Sequence, residues 1–141
     1  MLGPLTLLIS FLAVPWTISD PIHVAVNISC PMGVEMQGAP WCATIWIFEE
    51  DPVSSNDLLK KEEFCNKEHL VNFAYELSPG SDQTPNYEIN FQLQHNCSND
   101  HMIRCLKPKQ AHDVLTIGHT YLDLQIHAYL DGTLGNCDEN I

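Results

Sequence analysis

From Tyr87 to Cys97 the chain alternates residue by residue. Tyr87, Ile89, Phe91, Leu93, His95 and Cys97 share one face, and Glu88, Asn90, Gln92, Gln94 and Asn96 share the other. Side chains of a strand point alternately to opposite faces, so this stretch predicts a strand whose apolar side meets a core. The pattern recurs. Between His23 and Cys30, Val24, Val26, Ile28 and Cys30 oppose His23, Ala25, Asn27 and Ser29. Val71, Phe73, Tyr75 and Leu77 alternate in a third stretch, and from about His119 to Leu130 so do Leu122, Leu124, Ile126, Ala128 and Leu130. Ala43 to Glu49 differs, because Ala43, Ile45 and Ile47 on one face and Trp46 and Phe48 on the other make both sides apolar. That predicts either a central strand covered on both sides or an aromatic face that meets a partner or a second copy. Gly33 to Pro40, the acidic run Glu49 to Asp57 and Ser78 to Pro85 are rich in turn formers. The last of these predicts a hairpin between the third and the Tyr87 strands. Only Asp57 to Phe64 reads as a helical turn. Short alternating strands divided by turn signals predict an all-β fold, an antiparallel β-sandwich.

The first 19 residues read differently. Leu5 to Val14 is an apolar run of the length of a secretory h-region, Pro15 breaks it, and small residues follow at Thr17 and Ser19. A membrane anchor needs about 20 apolar residues, and Pro4 and Pro15 cut this stretch short. We read 1–19 as a signal peptide, although its start carries no Lys or Arg, and 20–141 as one domain of about 120 residues, enough to bury a core. The chain is expected to be secreted and extracellular.

Behind that leader stand six cysteines: Cys30, Cys42, Cys65, Cys97, Cys105 and Cys137. In an oxidising compartment disulfides are their default fate. The expected pairing joins Cys97 to Cys105 through a short loop, worth roughly 2.5 kcal/mol in chain-entropy terms. Cys42 and Cys65 flank the acidic loop and pair across it, which leaves Cys30 with Cys137. No Cys-x-x-Cys redox pair exists. The net charge is −12, with Lys60, Lys61, Lys67, Arg104, Lys107 and Lys109 as the only bases. A nucleic-acid partner needs a basic footprint, so none is expected. Unaided docking on an anionic membrane is disfavoured for the same reason.

The order of several marks resembles the nematode transthyretin-like family. They are Cys30 closing a strand, Ile45-Trp-Ile-Phe-Glu-Glu-Asp51, and Asn56-Asp57-Leu58-Leu59. Then follow Tyr87 to Cys97, Cys105 with Lys107 just after it, Thr116-Ile117-Gly118 before Leu122-Asp-Leu124, and Cys137. The stretch Phe64 to His69 lacks the family's usual Asp-Gly turn, and Cys42 and Cys65 add to its common four cysteines. The resemblance implies a transthyretin-like β-sandwich, secreted and non-catalytic, with no ligand named. The hydroxyisourate hydrolases of this fold end in Tyr-Arg-Gly-Ser, whereas this chain ends Asp138-Glu139-Asn140-Ile141.

Few constellations carry chemistry. Asn27-Ile-Ser29 and Asn96-Cys-Ser98 are N-glycosylation sequons, both with Asn on a polar face. His95 and His101 bracket Cys97, but a bridged cysteine ligates no metal. His119 and His127 lie about 26 Å apart along an extended strand. Glu49, Glu50, Asp51 and Asp57 lack the spacing of a calcium loop. No metal or other cofactor is expected, and no nucleophile elbow, zinc-protease helix motif or P-loop occurs. The leading expectation is therefore an extracellular binding or adaptor protein that meets a cell-surface receptor, a lipid surface or a small apolar molecule. Trp41, Trp46 and Phe48 are the candidate contacts. The alternatives are an extracellular hydrolase using His95 or His119, and a structural protein that forms homo-oligomers.

Overall fold

The computed structural model describes residues 20–31, 39–51, 55–80, 85–118 and 120–138. Among them the fold is all-β. The strands are β1 (Ile22–Ser29), β2 (Trp41–Glu49), β3 (Asp57–Asn66), β4 (Leu70–Leu77), β5 (Asn86–His95), β6 (Arg104–Leu106), β7 (His112–Leu115), β8 (Tyr121–His127) and β9 (Thr133–Leu134). They form two sheets, ordered β4-β1-β8 and β3-β2-β5-β6-β9, with β7 also pairing β5. The inward faces supply one core. Val24, Val26, Ile28, Leu124 and Ile126 from the smaller sheet meet Ile45, Ile47, Ile89 and Leu93 from the larger, all nearly or wholly buried.

Four expectations about the strands change. The Asp57 to Phe64 stretch is not helical but lies in β3, antiparallel to β2. Its ion pairs are those of a strand: Lys60 bonds Glu62 at 3.0 Å and Lys61 bonds Glu63 at 2.8 Å. Residues two apart share a face of a strand and not of a helix. The Val71 to Leu77 and Tyr87 strands form no hairpin. β4 pairs β1 in one sheet while β5 pairs β2 in the other. β5 buries Asn90 and Gln92 on its second face as well as its apolar side, so it belongs at the centre of the larger sheet, whereas β4 sits at an edge of the smaller. The sandwich is not wholly antiparallel, because β1 and β8 run parallel. The two strands start together: the Asp20 N–H donates to the Thr116 carbonyl (3.2 Å), the Gly118 N–H to Asp20 Oδ2 (2.9 Å), and Thr120 Oγ1 to the Pro21 carbonyl (2.7 Å). The last strand also ends before Leu130, which has φ 57° and is 45% exposed.

The bridges are Cys30–Cys97, Cys42–Cys65 and Cys105–Cys137. Cys97 therefore does not pair with Cys105, nor Cys30 with Cys137. The reason is parity. Cys97 follows the inward face of β5 and is fully buried beside Cys30 of the opposite sheet. Cys105 lies opposite Gln94 in the ladder, which puts it on the outward face with Cys137. A sheet separates the two partners that sequence proximity suggested.

Candidate functional site

The aromatic residues expected to meet a partner are buried. Trp41 points inward with no exposure, donates Nε1–H to the Glu68 carbonyl (3.0 Å) and packs edge-on against Phe64. Trp46 and Phe48 point to the outer face of the larger sheet, yet are only 4% and 0% exposed. They form a second small core with Cys105 and Cys137. Lys61 Nζ lies 5.5 Å from the Trp46 ring centroid and Lys107 Nζ 5.1 Å from that of Phe48, within the range of a cation–π contact. The tail is strapped across this face. Cys105–Cys137 anchors it, Gln92 Nε2 donates to the Asp138 carbonyl (2.6 Å), and the Cys137 N–H donates to Gln94 Oε1 (3.0 Å). Of the two readings of β2, the covered central strand holds, and the contact set Trp41, Trp46 and Phe48 does not.

The same sheet carries a shallow depression of about 370 Å³. Its lining includes Thr44, Glu63, Gln94, Asn96, Ile103 and the Cys42–Cys65 bridge. The β2–β3 and β2–β5 ladders place these side chains: Cys42 faces Cys65, and Thr44 lies between Glu63 and Gln94. Asn96 is fixed by its Oδ1, which accepts the Cys42 N–H at 2.8 Å. The lining also takes in Ala43, Phe64 and His95, so it is more apolar than polar, with the hydroxyl, carboxylate and amide groups of Thr44, Glu63, Gln94 and Asn96 set into it.

One of the depression's lining residues, Ile103, belongs to an exposed apolar rim along the β6–β9 edge. Met102, Ile103 and Leu134 are 53%, 39% and 63% exposed. The β6–β9 ladder gathers them: Arg104 pairs with Leu134, and the Gly135 N–H donates to the Ile103 carbonyl (2.9 Å). The turn into β9 requires Gly132. Its φ is 89°, and a Cβ there would lie 2.5 Å from the Cys105 carbonyl oxygen. Asp100 anchors the other side, accepting from Ser98 Oγ (2.6 Å), the Met102 N–H (3.0 Å) and Arg104 (2.8 Å). The Ser98 hydroxyl first, then the Met102 amide and Arg104, hold its carboxyl below the usual carboxylate range. Sequence reasoning missed this rim, because Met102, Ile103 and Leu134 lie outside every alternating run and meet only through tertiary pairing.

The remaining candidates separate. His95 is buried. Its Nε2 donates to the Asp131 carbonyl (3.1 Å) and its Nδ1 accepts the Cys97 N–H (3.2 Å), so both ring nitrogens are committed and neither is left to act as a base. Burial lowers its pKa below the usual histidine value, opposed by the Asp131 carbonyl. His119, like residues 1–19, lies outside the described residues. Among the described residues no three His, Cys, Asp or Glu side chains converge on a metal position. Asn27 is half-buried on the outer face of the smaller sheet and donates Nδ2–H to Asp123 (3.0 Å), while Ser29 Oγ sits 2.7 Å from His127 Nδ1. The second sequon is folded inward, with Ser98 wholly buried.

Compared with known proteins, residues 25–140 match a family described as "Caenorhabditis elegans protein of unknown function (DUF870)". The match is to this family and not to the transthyretin-like one that the ordered marks resemble. No curated protein and no solved structure matches the chain.

Proposed function

Since the chain belongs to this Caenorhabditis elegans family of unknown function, we propose that it is a secreted, extracellular binding protein of transthyretin-like type that acts without catalysis. Its contact surface is the depression with the Met102, Ile103 and Leu134 rim. The observation that carries this reading is that rim. Ile103 lines the depression among its hydrogen-bonding groups, and Met102 and Leu134 stand exposed along the same β6–β9 edge; an apolar anchor next to polar groups is what protein partners use. The lining, apolar with hydrogen-bonding groups set into it, suits a polypeptide such as the exposed segment of a cell-surface receptor. The net charge of −12 argues against an anionic lipid surface.

Secretion is supported by the leader and by the cysteines, all of which are bridged. The Asn27 sequon fits a glycan better than Asn96 does, because Asn27 and Ser29 stand on an outer face while Ser98 is sealed into the fold. A glycan on Asn27 keeps partners off the middle of the smaller sheet and leaves the depression open.

The experiment is surface binding of the secreted, disulfide-bonded protein to nematode cells, compared with Met102→Glu and Leu134→Glu. Both side chains are exposed, so both variants fold. Binding is expected to weaken roughly tenfold or more for each, the loss of one contact residue's share. Undiminished binding by both variants rejects this surface. Mass spectrometry of the same preparation is expected to show cleavage near Ser19 and a glycan on Asn27; an intact leader rejects secretion by this route.

A further inference from the structure

We propose that the open edge of β8 is a self-association surface, on which a second copy of this chain adds its own β8 antiparallel, in a register centred on Leu124. The argument starts from which way the main chain faces. The His23 N–H donates to the Thr120 carbonyl (2.9 Å) and the Ala128 N–H to the Ser29 carbonyl (2.8 Å). Main-chain groups along a strand alternate between its two neighbours. Thr120, Leu122, Leu124, Ile126 and Ala128 therefore face β1, while Tyr121, Asp123, Gln125 and His127 face away. Among the described residues β8 pairs with β1 alone. The N–H and C=O groups of those outward residues form an open row.

Edges of this kind are usually blunted by Lys, Pro, Gly-assisted bulges or a covering element. Tyr121–His127 contains no Lys, Pro or Gly, and its ladder to β1 runs without a register shift. Two of the other strand edges are guarded. β3 carries Lys60 and Lys61 and a bulge opposite Ile47/Phe48. β4 is flanked by β3, whose Glu62 accepts from the Tyr75 hydroxyl and whose Lys60 lies over the Tyr75 ring.

The register follows from the same row. Antiparallel pairing about Leu124 sets Tyr121 opposite the second copy's His127 and Asp123 opposite its Gln125, and the reverse by symmetry. Every outward residue then exchanges both its main-chain bonds, about eight in all. Sliding by two residues loses a pair, and in one direction sets Asp123 against Asp123, a like-charge opposition that destabilises. The symmetric register avoids this, which matters for a chain of net charge −12. On the inner side Leu122 comes opposite Ile126 and Leu124 opposite Leu124, extending the apolar face across both copies. On the outer side Tyr121, 67% exposed alone, gains the partner's imidazole as a neighbour. The contact is isologous and closes as a two-fold dimer. It lies in the plane of the sheet, so the outer face around Asn27 stays open.

The test combines sedimentation and amide exchange of the purified, disulfide-bonded chain over rising concentration. The mass is expected to double, and the amides of Tyr121, Asp123, Gln125 and His127 to slow by roughly tenfold or more as it does. Gln125→Pro removes a donor from the edge and is expected to leave a monomer. Gln125→Asp sets a carboxylate opposite the partner's Asp123 and is expected to weaken the dimer about tenfold, while Gln125→Lys sets an ammonium there and tightens it by a similar factor. If the proline variant unfolds, the opposite effects of Asp and Lys at one exposed position decide. A single mass at every concentration overturns the proposal. So does a dimer whose four edge amides still exchange fast, or one indifferent to the charge at position 125.

Discussion

His95 shows how one side chain can be tied into the fold at both ends. With Nδ1 accepting from the Cys97 amide and Nε2 donating to the Asp131 carbonyl, only the neutral ring with its proton on Nε2 satisfies both bonds. A proton on Nδ1 would face the Cys97 N–H. Arg104 nearby disfavours the charged form further, and Asp131 favours it, but burial dominates and the folded pKa lies below the unfolded one. The stabilisation is therefore complete above the ordinary histidine pKa of about 6.5 and is lost as pH falls from there through the folded pKa. The urea midpoint is expected to drop between pH 7 and pH 5, and His95→Gln, which takes no proton, to flatten that drop. An unchanged slope in the variant rejects the assignment. His95→Leu strands the buried Cys97 amide and is expected to cost about 2 kcal/mol at pH 7. The alternation of β5 was enough to place His95 on the inward face. Its partners were not legible, because the Asp131 carbonyl arrives 36 residues later and a backbone carbonyl carries no sequence signal.

Among the elements, β2 posed the sharpest choice, and tertiary structure made it. Its doubly apolar pattern was plain in Trp46 and Phe48 beside Ile45 and Ile47. What covers the second face was not, because the cover is a tail without periodicity, held by Cys137 and the carboxamides of Gln92 and Gln94. β3 was misread for a related reason. Its Lys-Lys-Glu-Glu run also fits a helix face, and only pairing with β2 fixes it as a strand. The strap gives the element-scale prediction. Replacing Cys105 and Cys137 together by Ser opens a loop of 32 residues, worth about 3–4 kcal/mol in chain-entropy terms. It also frees the tail from Trp46. Chemical denaturation is expected to show that loss, and acrylamide quenching of tryptophan to rise while the fold persists. Trp41 sits in the main core and contributes little to the rise. A full loss of stability with unchanged quenching would show that the bridge acts on the unfolded chain alone and that the tail stays seated without it.

At the scale of the whole molecule, the faces of the strands were readable and the assignment of strands to sheets was not. Val24, Val26, Ile28, Leu122, Leu124 and Ile126 all point inward as their alternation requires. That β1 and β8 lie side by side and parallel is set by contacts such as Asp20 to Gly118, 98 residues apart, which no local pattern announces. The disulfides divide in the same way. Cys42 and Cys65 flank a hairpin and could be paired from sequence, whereas the other two bridges depend on which face of the larger sheet each cysteine takes. Cys30–Cys97 is the only one of the three that joins the two sheets, and it closes a loop of 67 residues. In chain-entropy terms it contributes about 4 kcal/mol, a large part of the 5–15 kcal/mol typical of a domain. Cys30 and Cys97 are fully buried, while Cys65 is exposed on an edge strand. Under a limiting dithiol in native buffer, exchange requires access of the attacking thiolate to sulfur. Cys42–Cys65 is expected to open first with the sandwich intact, and Cys30–Cys97 last, together with global unfolding. Alkylation and peptide mass mapping at intermediate times read that order directly, and loss of Cys30–Cys97 before Cys42–Cys65 in folded protein would show that the sheets part more easily than the core they enclose allows.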